Sequence, residues 1–120
     1  MSWDSNKTQI ASALNVAGTE LFSSVVMLTP GELIHIQIDG DSGGTTDNLV
    51  IAVYTSLDPS SEQWDTVPIM SFELDCTDGA LNVVAFTLSG LFKFRIGFIR
   101  SGSSDTIVTN AHYRKDGVDA

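Results

Sequence analysis

The chain has 120 residues, enough for one domain with a single core and too few for a second, catalytic one. Hydrophobic residues make up 42%, but no apolar run approaches the ~20 residues of a membrane-crossing helix, so no membrane partner is expected. Fifteen acidic side chains against six basic give a net charge of -9 and argue against nucleic-acid binding, because a phosphate backbone is gripped by clustered Lys and Arg.

Residues 1–19 read as an N-terminal arm or a weak first strand, and residues 20–120 as a β-sandwich domain. The opening Met1-Ser2-Trp3-Asp4-Ser5-Asn6-Lys7 has neither the basic nor the apolar region of a secretory signal, so use without Sec-type export is expected. Residues 9–15 read as the weak strand, although residues 9–14 could instead begin a short helix, and residues 20–28 read as a further strand. Ile34, Ile36 and Ile38 then alternate with Leu33, His35 and Gln37. After the turn-rich stretch 39–47, Leu49, Ile51 and Val53 alternate with Val50, Ala52 and Tyr54, making that strand apolar on both faces. Met70, Phe72, Leu74 and Cys76 alternate with Ser71, Glu73 and Asp75, and Val84, Phe86 and Leu88 follow. Phe92, Phe94, Ile96 and Phe98 oppose Lys93, Arg95, Gly97 and Ile99, and a last strand covers 107–114.

A period of two marks half-buried strands. Val, Ile and Thr number ten, nine and eleven against three Lys and four Glu, which favours strand over helix. The expected fold is an all-β antiparallel β-sandwich of about eight strands, jelly-roll-like, with an immunoglobulin-like Greek key as the alternative. The last two strands suggest a hairpin around Ser101-Gly102-Ser103-Ser104. Arg100 would face Asp105, Phe98 would face Ile107 and Phe94 would face Ala111, while Lys93 would lie beside His112 on the other side.

Few residues suggest chemistry. Cys76 is the single cysteine, so an internal disulfide and a Cys-based zinc site are excluded, and its alternation marks it as a buried apolar residue. Asp39, Asp41, Gly44 and Asp47 fall at the first, third, sixth and ninth positions of a calcium loop, but Val50 stands where the bidentate Glu belongs. The stretch therefore reads as a solvated turn, and no metal or cofactor is expected. His35 and His112 read as surface or interface residues without a nucleophile, so neither an enzyme nor a catalytic residue is expected.

Trp3 and Trp64 are the candidate exposed aromatics; Trp64 could stack on a sugar ring or fold back as a lid over the sandwich edge. Residues 1–80 carry twelve acidic and one basic side chain, and residues 81–120 three and five. Lys93, Arg95, His112 and Arg114 thus become candidates for a docking face, with Trp3 and Trp64 as anchors.

Val53-Tyr54-Thr55-Ser56-Leu57-Asp58-Pro59, followed by Trp64-Asp65-Thr66, resembles the strand–turn–Trp element of discoidin-like and other jelly-roll binding domains. Phe94-Arg95-Ile96-Gly97-Phe98 and the segment 107–114 are similar to their closing strands. The same combination, ending in Tyr113-Arg114-Lys115-Asp116-Gly117, resembles small virion proteins of tailed bacteriophages that decorate or cement the capsid, over residues 49–64 and 92–117. This resemblance implies a non-enzymatic virion structural protein, assembled in the host cytoplasm. Its partners would be the major capsid protein or other virion subunits, and it would be a homo-oligomer, a trimer among the forms allowed. The alternative is a carbohydrate-binding β-sandwich module using Trp64 and neighbouring loops.

Overall fold

The structure is a computed structural model that describes residues 7–28, 32–44, 46–56, 64–78, 80–89, 93–102 and 106–115. Among these residues nine strands occur: β1 (Thr8–Val16), β2 (Leu21–Phe22), β3 (Val26–Met27), β4 (Leu33–Asp41), β5 (Leu49–Ser56), β6 (Met70–Leu74), β7 (Leu81–Ser89), β8 (Lys93–Arg100) and β9 (Ile107–Lys115). Every pairing is antiparallel.

One sheet has the order β1-β9-β4-β7. The other has the order β2-β8-β5-β6, with β3 also on β8. The pairs β1–β9, β2/β3–β8, β4–β7 and β5–β6 nest inside one another, like one long hairpin rolled into two layers. That is a jelly-roll β-sandwich rather than an immunoglobulin-like Greek key.

The alternating residues do what the period requires. Ile34, Ile36 and Ile38 of β4, Leu49, Ile51 and Val53 of β5, and Phe94, Ile96 and Phe98 of β8 are all buried between the sheets. Cys76 joins them, fully buried, with its thiol directed at the Gly40 carbonyl oxygen at 3.7 Å. Burial is the main cause that pushes this thiol's pKa up, which keeps it protonated and structural.

The expected β8–β9 hairpin does not form. The two strands lie in opposite sheets: Phe98 pairs with Leu21 and Ile51, while Ile107 pairs with Val16. The apolar faces of both strands still meet in the core, but across a gap of ~10 Å rather than along a ladder. Matching of faces is equally satisfied by both arrangements, so the alternation alone could not choose between them.

Two further strands depart from the simple period. Of the two forms expected for residues 1–19, a strand is what Thr8–Val16 adopts, with register shifts between Gln9 and Ala11 and between Ala11 and Leu14. Ala13 takes a positive φ of 47° at this irregularity, and its N–H donates to the Asn110 side-chain oxygen at 2.8 Å. The strand expected over 20–28 is split by Ser23. Its N–H donates to the Ile96 carbonyl at 2.8 Å, and its hydroxyl accepts the Ile96 N–H at 3.0 Å. Ser24 N–H turns instead to Ile10 of the other sheet at 2.9 Å, tying the two layers at this edge.

Candidate functional site

The outer face of the four-stranded sheet can be read in rows from its register. Thr87, His35 and Arg114 lie side by side, then Ala85, Gln37, His112 and Gln9, then Val83, Asp39 and Asn110, then Leu81, Asp41 and Val108. The face therefore runs from basic to acidic along β4 and β9. Asn110 holds the middle: its amide donates to Asp39 at 3.0 Å and its oxygen accepts the Ala13 N–H. At the basic end an open groove of about 350 Å³ is lined by Lys7, His35, Gln37, Ala85, His112 and Arg114.

The outer face of the five-stranded sheet is built differently. Register places Met27 and Ser56 beside Lys93, Tyr54 beside Arg95, and Phe22 and Ala52 beside Gly97. Over it lies Trp64, half-buried, with Lys93 Nζ 4.9 Å and Arg95 Cζ 4.7 Å from its ring centroid. The Arg95 guanidinium also stands 3.9 Å from the Phe22 ring, which meets Tyr54 edge-on at 6.0 Å. Tyr54 donates its hydroxyl to Glu20 at 3.0 Å, and that carboxylate crosses Gly97 so closely that a Cβ there would collide with it. Burial first, then the hydrogen bond to Glu20, raises the Tyr54 phenol above its ordinary pKa.

The candidates from sequence thus divide between the two faces. Trp64, Lys93 and Arg95 come together on the five-stranded sheet, whereas His112 and Arg114 stand on the four-stranded one. A single face holding Lys93, Arg95 and Arg114 required the β8–β9 hairpin and is corrected with it. Trp3 lies outside the described residues. Trp64 is a lid, but over the outer side of β8 rather than the core, and two cations already engage its ring. Its indole N–H is buried and makes no hydrogen bond among the described residues.

The sequence does not group His35, Gln37 and Lys7 with His112, because the β4–β9 and β1–β9 pairings that join them link distant parts of the chain. The Asp39–Asp47 stretch is not a loop throughout: Asp39 and Asp41 belong to β4, and Asp47 is buried against Gly102. Among the described residues no group of three or more His, Cys, Asp or Glu side chains is placed to hold a metal ion.

No protein-family model and no curated protein matches the chain. Among solved structures it is similar to a chain described as "CBM4 structure and function", with a TM-score of 0.50 and 14% identity. The match covers 88% of this chain and 64% of that one, less than two thirds of its length. At this identity the likeness shows the β-sandwich fold alone.

Proposed function

We propose that the chain is a non-enzymatic virion structural protein that docks on a capsid surface through the outer face of its five-stranded sheet. The observation that carries this is the apolar character of that face. Met27 is 49% exposed and Phe22 38%, and Val50, Tyr54 and Ile99 are half-buried along the same face. Val67 and Ile69, 73% and 48% exposed, extend it along the β5 edge, where Ile69 N–H donates to the Val53 carbonyl at 2.8 Å. A solvent-facing sheet is ordinarily polar, and exposed apolar side chains interspersed with Lys93, Arg95 and Glu73 suit a contact surface. The likeness of residues 49–64 and 92–117 to capsid-decorating proteins supports the choice of partner.

Density-gradient fractionation of particles from producing cells tests the reading. The chain is expected to band with assembled particles, and Met27→Asp combined with Val67→Asp should move it to the free-protein fraction while it stays folded. A wild-type chain that never bands with particles overturns the proposal.

A second reading, a carbohydrate-binding module, is favoured by the fold likeness together with the open groove on the opposite sheet. In that reading the groove, and not Trp64, is the site, because Lys93 and Arg95 occupy the Trp64 ring. Retention on immobilised glycans that survives Trp64→Phe but is lost in His112→Ala with Gln37→Ala would support it.

A further inference from the structure

We propose that the groove on the four-stranded sheet binds the carboxylate of an acidic saccharide. The anionic part of this inference stands on the groove itself, and the saccharide part rests on the second reading above.

The chain carries a net charge of -9, yet Lys7, His35, His112 and Arg114 all line this one groove. They are four of its eight basic side chains, counting six Lys and Arg with two His. No Asp or Glu lines the groove among the described residues. Arg114 is suited to a carboxylate because a guanidinium can grip both oxygens at once, and Lys7 adds a mobile point charge from just before β1. In the adjoining row Gln37 and His112 offer amide and imidazole groups for hydroxyls, while Ala85, with only a methyl group, leaves room for a ring to settle. The volume, about 350 Å³, lies at the lower end of the ~300–1,000 Å³ usual for small-ligand sites.

The same rows exclude a continuous polyanion. Asp39 and Asp41 follow on the outer face of β4, so a phosphodiester chain running along the strands would move from cations onto carboxylates. Lys115 is set apart from the groove, paired with Glu32 at 3.0 Å. A single acidic group flanked by neutral hydroxyls meets this pattern; evenly spaced charges do not.

Isothermal titration of the purified chain with a neutral oligosaccharide bearing a single glucuronate, its methyl ester, acetate and an oligothymidylate distinguishes the possibilities. The acid oligomer should bind, and the methyl ester should bind at least about tenfold more weakly, 1.4 kcal/mol being a factor of ten. Arg114→Gln and Lys7→Gln should each weaken the acid oligomer by about tenfold or less, with Arg114→Lys intermediate. Equal binding of ester and acid would overturn the anionic site while leaving a sugar site standing. Acetate or the oligothymidylate binding as tightly as the oligomer would overturn the saccharide, and no binding of any probe would overturn both. Lys7 lies outside the strands, so its variant keeps the test decisive should an Arg114 variant fold poorly.

Discussion

Replacing Trp64 by Ala tests whether this ring is a structural clamp or a free platform. Burying half of the ~200 Å² that an indole offers is worth about 2–3 kcal/mol at ~25 cal/mol per Å². The two cation contacts, at 4.9 Å from Lys93 and 4.7 Å from Arg95, add about 1 kcal/mol each where water is partly excluded. The expected loss is therefore about 4–5 kcal/mol, within the range found for large aromatic truncations. In urea denaturation this lowers the midpoint by about 2 M if the slope is ~2 kcal/mol per M. A double-mutant cycle with Arg95→Met isolates the contact and should return about 1 kcal/mol of coupling. An exposed platform would cost only about 0.5 kcal/mol. A loss below about 1 kcal/mol together with zero coupling would refute the clamp.

Tyr54 should give stability a dependence on alkaline pH. Its phenol is raised by burial and then by Glu20, so the folded state holds the proton longer than the unfolded chain does. That contribution is intact below the ordinary phenol pKa and falls as pH rises through the raised one; urea midpoints of wild type and Tyr54→Phe should converge over that interval. Asn110→Ala removes the acceptor for Ala13 N–H and the donor to Asp39, at a cost of about 1–2 kcal/mol in thermal unfolding. Cys76 should react with a thiol reagent only as fast as the fold opens, because it is fully buried and burial raises its pKa; labelling at the rate of a free thiol in native buffer would contradict its place in the core.

The strands were legible wherever one face alone is buried. Ile34, Ile36 and Ile38, or Phe94, Ile96 and Phe98, display their period directly, because solvent on one side and core on the other impose opposite chemistries on neighbouring residues. Where a local device breaks the period the signal fails. Ile10 and Ala11 are both buried although adjacent, a consequence of the register shift in β1, and this is why a short helix competed there. Ser23 likewise interrupts the edge strand by lending its hydroxyl to the Ile96 N–H, a bond that no alternation of apolar residues announces.

Partnership between strands was less legible than their existence, and the functional surfaces depend on partnership. His35 and Gln37 reach His112 and Arg114 only through β4–β9, and Trp64 reaches Lys93 and Arg95 only because β5 lies beside β8. One signal in the sequence did foreshadow the second of these. Val50, Ala52 and Tyr54 make the outward side of β5 apolar, which a strand facing bulk water would not need. Such a face must be covered from within the chain or from outside it. Trp64 provides cover of the first kind over the neighbouring β8, while Met27 on β3 and Val67 beside β5 remain exposed. The apolar outward face of β5 is thus accounted for in part by the fold, and its uncovered margin is the reason to assign that sheet a partner.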